Sequence, residues 1–391
     1  NDTLGHGVGD ALIKACGDRL MAVVRKDDTV ARFGGDEFVL LAENLSNASD
    51  AAVVAEKVLA CCAEPFVIGE RELHISASIG VGMYPEDGTD AETLLKNADT
   101  AMYRAKDKGR GAYEFYAAQM NAQGSERLML ESGLRRAMER GELELHYQPK
   151  MDLATQRIAG VEALMRWRHP VLGLVSPAQF IPIAEETGLI VPMGKWALLT
   201  ACGDARDWQE RGLPAVQMSV NLSPRQLSST SLIDDIDEVL NATGLSPALL
   251  ELEITETAVM KNPEQAAILL QQIRDMGVGL AIDDFGTGYS SLSYLRRFPL
   301  TTVKIDRSFV KDLSRDRDAE ALTDGIVTLA HGLRMRVVAE GVETEEQLAY
   351  LRAHQCDEIQ GYWLCKPMPA EDVCKFMARH LRNQFAAPAA A

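Results

Sequence analysis

With 391 residues, 47% of them hydrophobic and 25% charged, the chain can bury one or two cores, which excludes disordered and fibrous classes. A formal net charge of -17 and a pI near 4.9 exclude a protein that works by neutralising the phosphates of duplex nucleic acid. The same field repels a small anionic substrate unless bound cations reverse the sign inside the pocket.

The seven cysteines are scattered apart from adjacent Cys61 and Cys62, with no C-x-x-C, and are expected as reduced, mostly buried thiols. His146, His169 and His331 are equally dispersed, so neither a zinc ribbon nor an H-E-x-x-H site is available and any metal must be held by oxygen ligands. No apolar run approaches the roughly 18 residues of a membrane span, and no signal peptide opens the chain. A cytoplasmic location is expected, either free or as the cytoplasmic part of a longer, membrane-attached sensor, because the first residue is Asn1 rather than Met.

Residues 10–24 have helical spacing, with Leu12, Ile13, Cys16 and Leu20 on one side. Residues 30–33 and 36–41 read as two strands joined at Gly34-Gly35. Helix is expected at 49–62, strands within 73–84 and helix at 91–108, an α+β or α/β domain over residues 1–116. Residues 117–127 turn polar and are read as a linker, followed by a helical stretch with Leu130, Leu134 and Met138. A second domain is expected over 128–380, and 381–391, almost all alanine at its end, as a frayed tail.

Beyond Leu143 a short apolar strand, a loop and an amphipathic helix recur, the pattern of a parallel α/β fold whose length suits a (β/α)8 barrel. Each candidate strand runs into a polar group. These are Glu162, Asn221, Glu253 with Glu256 beyond it, the pair Asp283-Asp284, Lys304 and Asp306, Glu340, and Gln360. In a barrel such ends converge on one face, where so many carboxylates are tolerable only with divalent cations among them; Mg²⁺ or Mn²⁺ suits oxygen ligands best. Any one of these acids could instead end its strand as a turn or helix cap, but caps do not require an acid before every loop. Lys304 and Asp306, two apart, would share one strand face with Val303 and Ile305 on the other. The Gly-rich stretch after Asp284 suits a mobile loop over the mouth.

These residues closely resemble the EAL family of cyclic di-GMP phosphodiesterases. The resemblance runs through EALMRWRHP (162–170), FIPIAEETGLI (180–190), SVNLSPRQL (219–227), ELEITET (251–257), IDDFGTGYSSL (282–292), VKIDRSFV (303–310), VVAEGVET (337–344) and QGYWLCKP (360–367). It implies a TIM-like barrel that hydrolyses cyclic di-GMP to linear pGpG with two Mg²⁺ or Mn²⁺ ions. Carried over, Glu162, Asn221, Glu253 and Asp283 hold one ion, and Asp283 is shared with a second surrounded by Asp284, Asp306 and Glu340. Lys304 orients or activates the attacking water, Gln360 supports the site, and Glu256 fastens the loop after Asp284. Arg166 and Gln148 match contacts to the ligand's phosphate and base, and a homodimer through the barrel is implied.

Residues 1–116 resemble the GGDEF family of diguanylate cyclases, with Gly34-Gly35-Asp36-Glu37-Phe38 on the turn. Asn1 and Asp10 match guanine-reading positions, Lys106 and Arg110 match residues that steady the triphosphate, and Arg25 and Asp28 fit the R-x-x-D inhibitory site. The family's first strand, with an Asp that joins Glu37 at the metal, would precede Asn1. No cyclase activity is therefore expected of this chain, and its GGDEF segment is expected to regulate, with GTP as a candidate ligand. A non-catalytic cyclic di-GMP receptor is the alternative, as is a bifunctional cyclase and phosphodiesterase in a longer protein; a receptor, however, has no need of the whole ligand set with Lys304.

Overall fold

The computed structural model describes residues 6–386 apart from positions 46, 70, 110, 118, 287–291 and 314. The chain divides into two units, Asn1–Met129 and Leu130–Ala391.

In the first unit, helix His6–Val23 is followed by the antiparallel hairpin Thr29–Gly34 and Glu37–Leu41, as the Gly-Gly turn predicts. Gly35 adopts φ 50°, the left-handed conformation that glycine takes without a Cβ penalty. Helix Ala48–Ala63 starts where the Asn47 side chain accepts from the Asp50 amide. The region expected to hold strands within 73–84 yields Arg71–Leu73, which pairs with Phe66–Ile68, and Ile79–Val81. Helix Ala91–Asp107 crosses from Ile79–Val81 to its parallel partner Tyr113–Phe115. That helix lies directly on bare backbone, since a Cβ on Gly80 would stand 1.8 Å from the Ala98 carbonyl oxygen.

Helix Gln119–Ala137 occupies most of the stretch read as a linker. Polarity does not break a helix when no proline intervenes, and Gln, Glu, Arg and Met are good helix formers.

The second unit is a closed eight-stranded barrel. Its strands are β1 (Leu143–Asp152), β2 (Ile158–His169), β3 (Gln217–Leu222), β4 (Leu250–Thr255), β5 (Gly279–Phe285), β6 (Thr302–Ile305), β7 (Arg336–Ala339) and β8 (Glu358–Ile359). From β2 to β8 neighbours pair in parallel and in chain order. β1 closes the ring by pairing antiparallel with both β2 and β8. The expected TIM-like barrel is therefore present with one strand reversed. Residues 153–157 are too few for a parallel crossover, which takes a dozen or more, so β1 and β2 form a hairpin with no helix between them.

Alternation sorts the side chains. Met218, Val220, Leu252, Ile254, Ile282, Val303, Ile305 and Val337 are buried in one core with Leu198, Ala201 and Trp208 of helix Ile190–Glu210. Fully burying each larger apolar side chain contributes about 1.5–3 kcal/mol. The opposite faces carry buried polar groups, among them Lys150, Ser219, Glu251, Glu253, Thr302 and Lys304, where an ordinary barrel interior is filled by branched apolar residues. Among the described residues no helix is long and apolar enough to cross a membrane.

Candidate active site

Parallel strands deliver their C-terminal halves to one mouth, and six of them, or the residues just after them, bring polar side chains onto Lys304 or its partners. Lys304 Nζ lies 2.5 Å from Glu340 Oε1, 3.3 Å from Asp283 Oδ2 and 3.5 Å from Glu162 Oε2, and forms a short ion pair with Glu253 Oε2. Asn221, exposed at the rim, donates to Glu162 Oε1 at 2.7 Å. Gln360 donates to Glu162 Oε2 at 2.7 Å and to Gln148 Oε1 at 3.0 Å, and Gln148 donates to the Cys365 carbonyl at 3.0 Å. Gln360 is set by close backbone contact, because a Cβ on Gly361 would lie 2.2 Å from the Val342 carbonyl oxygen. The sequence places Glu162 at the end of its strand, but β2 runs on to His169, and Glu162 faces Gln148 across the antiparallel pair.

Asp283 and Asp284 are consecutive, so a regular strand would aim them to opposite faces. The register between β5 and β6 shifts between Ile282 and Phe285, and Asp284 adopts φ 53°. This irregularity re-aims the pair, as bulges beside functional sites do. Buried Glu256, at the start of helix Glu256–Met260, accepts from the Gly286 amide at 3.3 Å and so holds the chain just after Asp284. The rest of the Gly-rich loop, 287–291, lies outside the described residues.

Asp306 departs from its expected place. β6 ends at Ile305, and Asp306 is the N-cap of helix Arg307–Lys311, accepting from the Ser308 amide at 3.0 Å. The capping role proves right for this acid, although its charge still reaches Asp284. Arg166 is half-buried, its guanidinium donating to its neighbour's carbonyl, that of Met165, at 2.9 Å.

The electrostatics express crowding. Burial pushes the Glu162 carboxyl up, repulsion from Glu253 adds to this, and Lys304 and Lys150 oppose it. Burial likewise raises Asp283, with Lys304 opposing and Glu253 and Asp284 adding. Glu340 is pushed up to about 8 by burial against the pull of Lys304, with Asp283, Glu162 and Glu253 reinforcing the shift. Burial also raises Asp284, helped by Asp306. Glu253 is instead held down, to about 2, because Lys150 and Lys304 outweigh its burial.

Among the described residues no three acid, imidazole or thiol side chains already enclose a cation site; the Lys304 ammonium takes the central position. The donor set nevertheless fits a hard divalent cation. Its members are carboxylates and amides, burial holds several of the carboxyls above their ordinary range despite Lys304, and buried Gln360 Oε1 has no partner among the described residues.

A second polar group escaped the sequence reading. Lys150, Ser219, Glu251 and Thr302 stand two residues before or after Gln148, Asn221, Glu253 and Lys304 on their strands. That two-residue repeat of polar groups is the signal that places them on the same inward face.

In the first unit, Asp10 lines an open cavity of about 500 Å³ with Lys14, Arg32 and Phe38, whereas Asp36, Glu37 and Lys106 are not among its lining residues. Gly34, Gly35, Asp36 and Glu37 are exposed at the hairpin turn, where Arg32 donates to the Gly35 carbonyl at 2.8 Å. The Asp28 carboxylate accepts from the backbone amides of Arg25 and Glu43, at 2.8 and 3.2 Å, and so closes a local turn. Asn1 and Arg110 lie outside the described residues.

Comparison with known proteins agrees with the resemblance. The EAL domain profile matches residues 131–367, and the profile of the diguanylate cyclase GGDEF domain matches residues 1–112. Over 97% of its length the chain is 47% identical to the bifunctional diguanylate cyclase/cyclic di-GMP phosphodiesterase MucR of Pseudomonas aeruginosa. Over 96% it is 42% identical to the cyclic di-GMP phosphodiesterase NbdA of the same species. The chain spans about half of each of these relatives, 55% and 48%. A solved PaMucR phosphodiesterase in complex with c-di-GMP is similar with 46% identity and a TM-score of 0.61, covering 63% of this chain and 99% of that one. The FimX EAL domain from Pseudomonas aeruginosa bound to c-di-GMP, 26% identical, covers 61% of this chain and 96% of that one with a TM-score of 0.56. EAL phosphodiesterases generally need a divalent metal. A profile match across most of the chain, on a barrel whose mouth gathers the motif residues, shows that the chain belongs to the EAL family and carries a GGDEF-family segment at its N-terminus.

Proposed function

We propose that the barrel hydrolyses cyclic di-GMP to linear pGpG with two Mg²⁺ or Mn²⁺ ions. The observation that carries this reading is the gathering of Glu162, Glu253 and Asp283, from three strands, and Glu340, just after a fourth, around one buried lysine. Glu162, Asn221, Glu253 and Asp283 would hold one ion, and Asp284, Asp306 and Glu340, with Asp283 shared, would hold the other. Such ions supply Lewis acidity toward water and phosphoryl oxygen.

The chain's own residues supply position. Lys304 can orient a water by donating to its oxygen, and Arg166 can pair with a phosphate bidentately. Gln148 can read a base edge while Gln360 holds it, and Glu256 keeps the backbone after Asp284 in place. The GGDEF segment, 1–116, would act as a regulator able to take GTP, the barrel at 128–380 would pair as a homodimer, and the free thiols accord with a cytoplasmic location. The test is to incubate the purified chain with cyclic di-GMP and Mn²⁺ or Mg²⁺ and identify the nucleotides by mass. Linear pGpG is expected. Tight binding with no product would favour the receptor, and conversion of GTP to cyclic di-GMP would establish a cyclase.

A further inference from the structure

Beneath the mouth, inside the barrel, lies a buried charged layer to which the proposed chemistry assigns no role. Lys150 on β1 is 1% exposed and places Nζ 2.6 Å from Glu253 Oε1 and 2.7 Å from Ser219 Oγ, with Glu251 Oε2 at 3.6 Å. Ser219 donates to Glu251 Oε2 at 2.9 Å, and Thr302 donates to Glu251 Oε1 at 2.6 Å. Both oxygens of Glu251 are thereby engaged, and Lys150 is held between two carboxylates and a hydroxyl. Taking a lysine and a glutamate this far from water costs more than exposed pairs return, and apolar residues of the same volume would fill a barrel as well. A buried pair kept at that cost calls for a function.

Glu253 supplies it. Its two oxygens meet two different ammonium groups, Oε1 that of Lys150 below and Oε2 that of Lys304 at the mouth. A carboxylate tied down at one oxygen cannot rotate freely, so the other oxygen keeps a fixed direction. We propose that Lys150, backed by Ser219 and Glu251, is a positioning residue that fixes Glu253 so that Oε2 is presented to the divalent cation at the mouth. This inference rests on the reading of Glu253 as a metal ligand.

The test is Mn²⁺ affinity of the full chain by titration calorimetry without nucleotide, together with thermal unfolding, for the parent, Glu253→Gln, Lys150→Met and the double variant Lys150→Met/Glu251→Gln. Lys150→Met leaves the buried Glu251 charge with only the half-exposed Arg336 guanidinium, 3.8 Å away, to offset it, and should lower both the unfolding temperature and the Mn²⁺ affinity. The double variant removes both charges while the amide carbonyl introduced at position 251 still accepts from Ser219 or Thr302, so it should regain stability. Its Mn²⁺ affinity should remain about 10- to 100-fold weaker than the parent's, the cost typical of losing a hydrogen-bond partner to a metal ligand. A merely structural Lys150 would let affinity recover along with stability, and that result overturns the proposal. Glu253→Gln separates the two readings. Affinity unchanged in it sinks the ligand assignment and this inference together, whereas affinity lost in it but parental in the double variant sinks this inference alone.

Discussion

Glu162 differs from its neighbours in what holds it. Glu253 sits between two lysines, whereas both Glu162 oxygens accept from neutral amides, those of Asn221 and Gln360, with Lys304 farther off at 3.5 Å. A carboxylate that is buried yet weakly compensated gains most from an added cation. Replacing Glu162 by Ala removes that acceptor from the mouth without opening the apolar core between strands and helices. The expected outcome is a loss of turnover beyond about 100-fold, the upper end for losing only a partner of a ligand, with an unchanged circular dichroism spectrum. Retained turnover in Mg²⁺ would contradict the assignment. Glu162, Glu253, Asp283 and Glu340 could be read from sequence because each follows an apolar run, although Glu162 lies within β2 rather than at its end, and Glu251, inside such a run, could not. Asp306 could not be assigned in that way, since whether an acid continues a strand or caps the next helix depends on where pairing with the neighbouring strand stops.

At the scale of elements, β5 joins geometry to chemistry. Asp284 sits at φ 53° where the register slips, and Asp and Asn tolerate this region better than other side chains that carry a Cβ. Asp284→Asn should therefore keep the parent's stability to within a fraction of a kcal/mol while removing a charge next to Asp306. Asp284→Ala should lose about 1–2 kcal/mol through backbone strain alone, measured as a lower midpoint in urea unfolding than that of the Asn variant. Equal midpoints would show that the left-handed backbone is not what the aspartate supports. The bulge was not legible, because a two-residue period assigns one of two adjacent acids to the outer face and only the pairing with β6 overrules it. The reversed β1 has a similar origin: its polar inward face, with Gln148 and Lys150, resembles the strands around it. Its direction follows from the short connection 153–157.

For the whole molecule, a chain of net charge -17 that gathers more anions at one mouth must take up either protons or cations there. In the metal-free chain Glu340 is pushed from its ordinary 4.5 to about 8, chiefly by burial, and Glu162 and Asp283 shift in the same direction. A carboxyl whose folded value is raised holds its proton more tightly folded than unfolded. Its contribution to stability is thus full below the unfolded value and is lost as pH climbs through the folded one. The metal-free chain should lose thermal stability between mildly acidic pH and about 8. Divalent ions displace those same protons, so metal affinity should rise with pH across that window and the stabilisation by Mg²⁺ or Mn²⁺ should widen with it. Unfolding temperatures with excess Mn²⁺ and with a chelator, followed across pH, measure this gap. The chelator should also stop hydrolysis, and restored Mn²⁺ should revive it. A gap that stays constant with pH would mean that protons and metal do not compete for these carboxylates, and turnover that survives chelation would remove the metal from the reaction altogether.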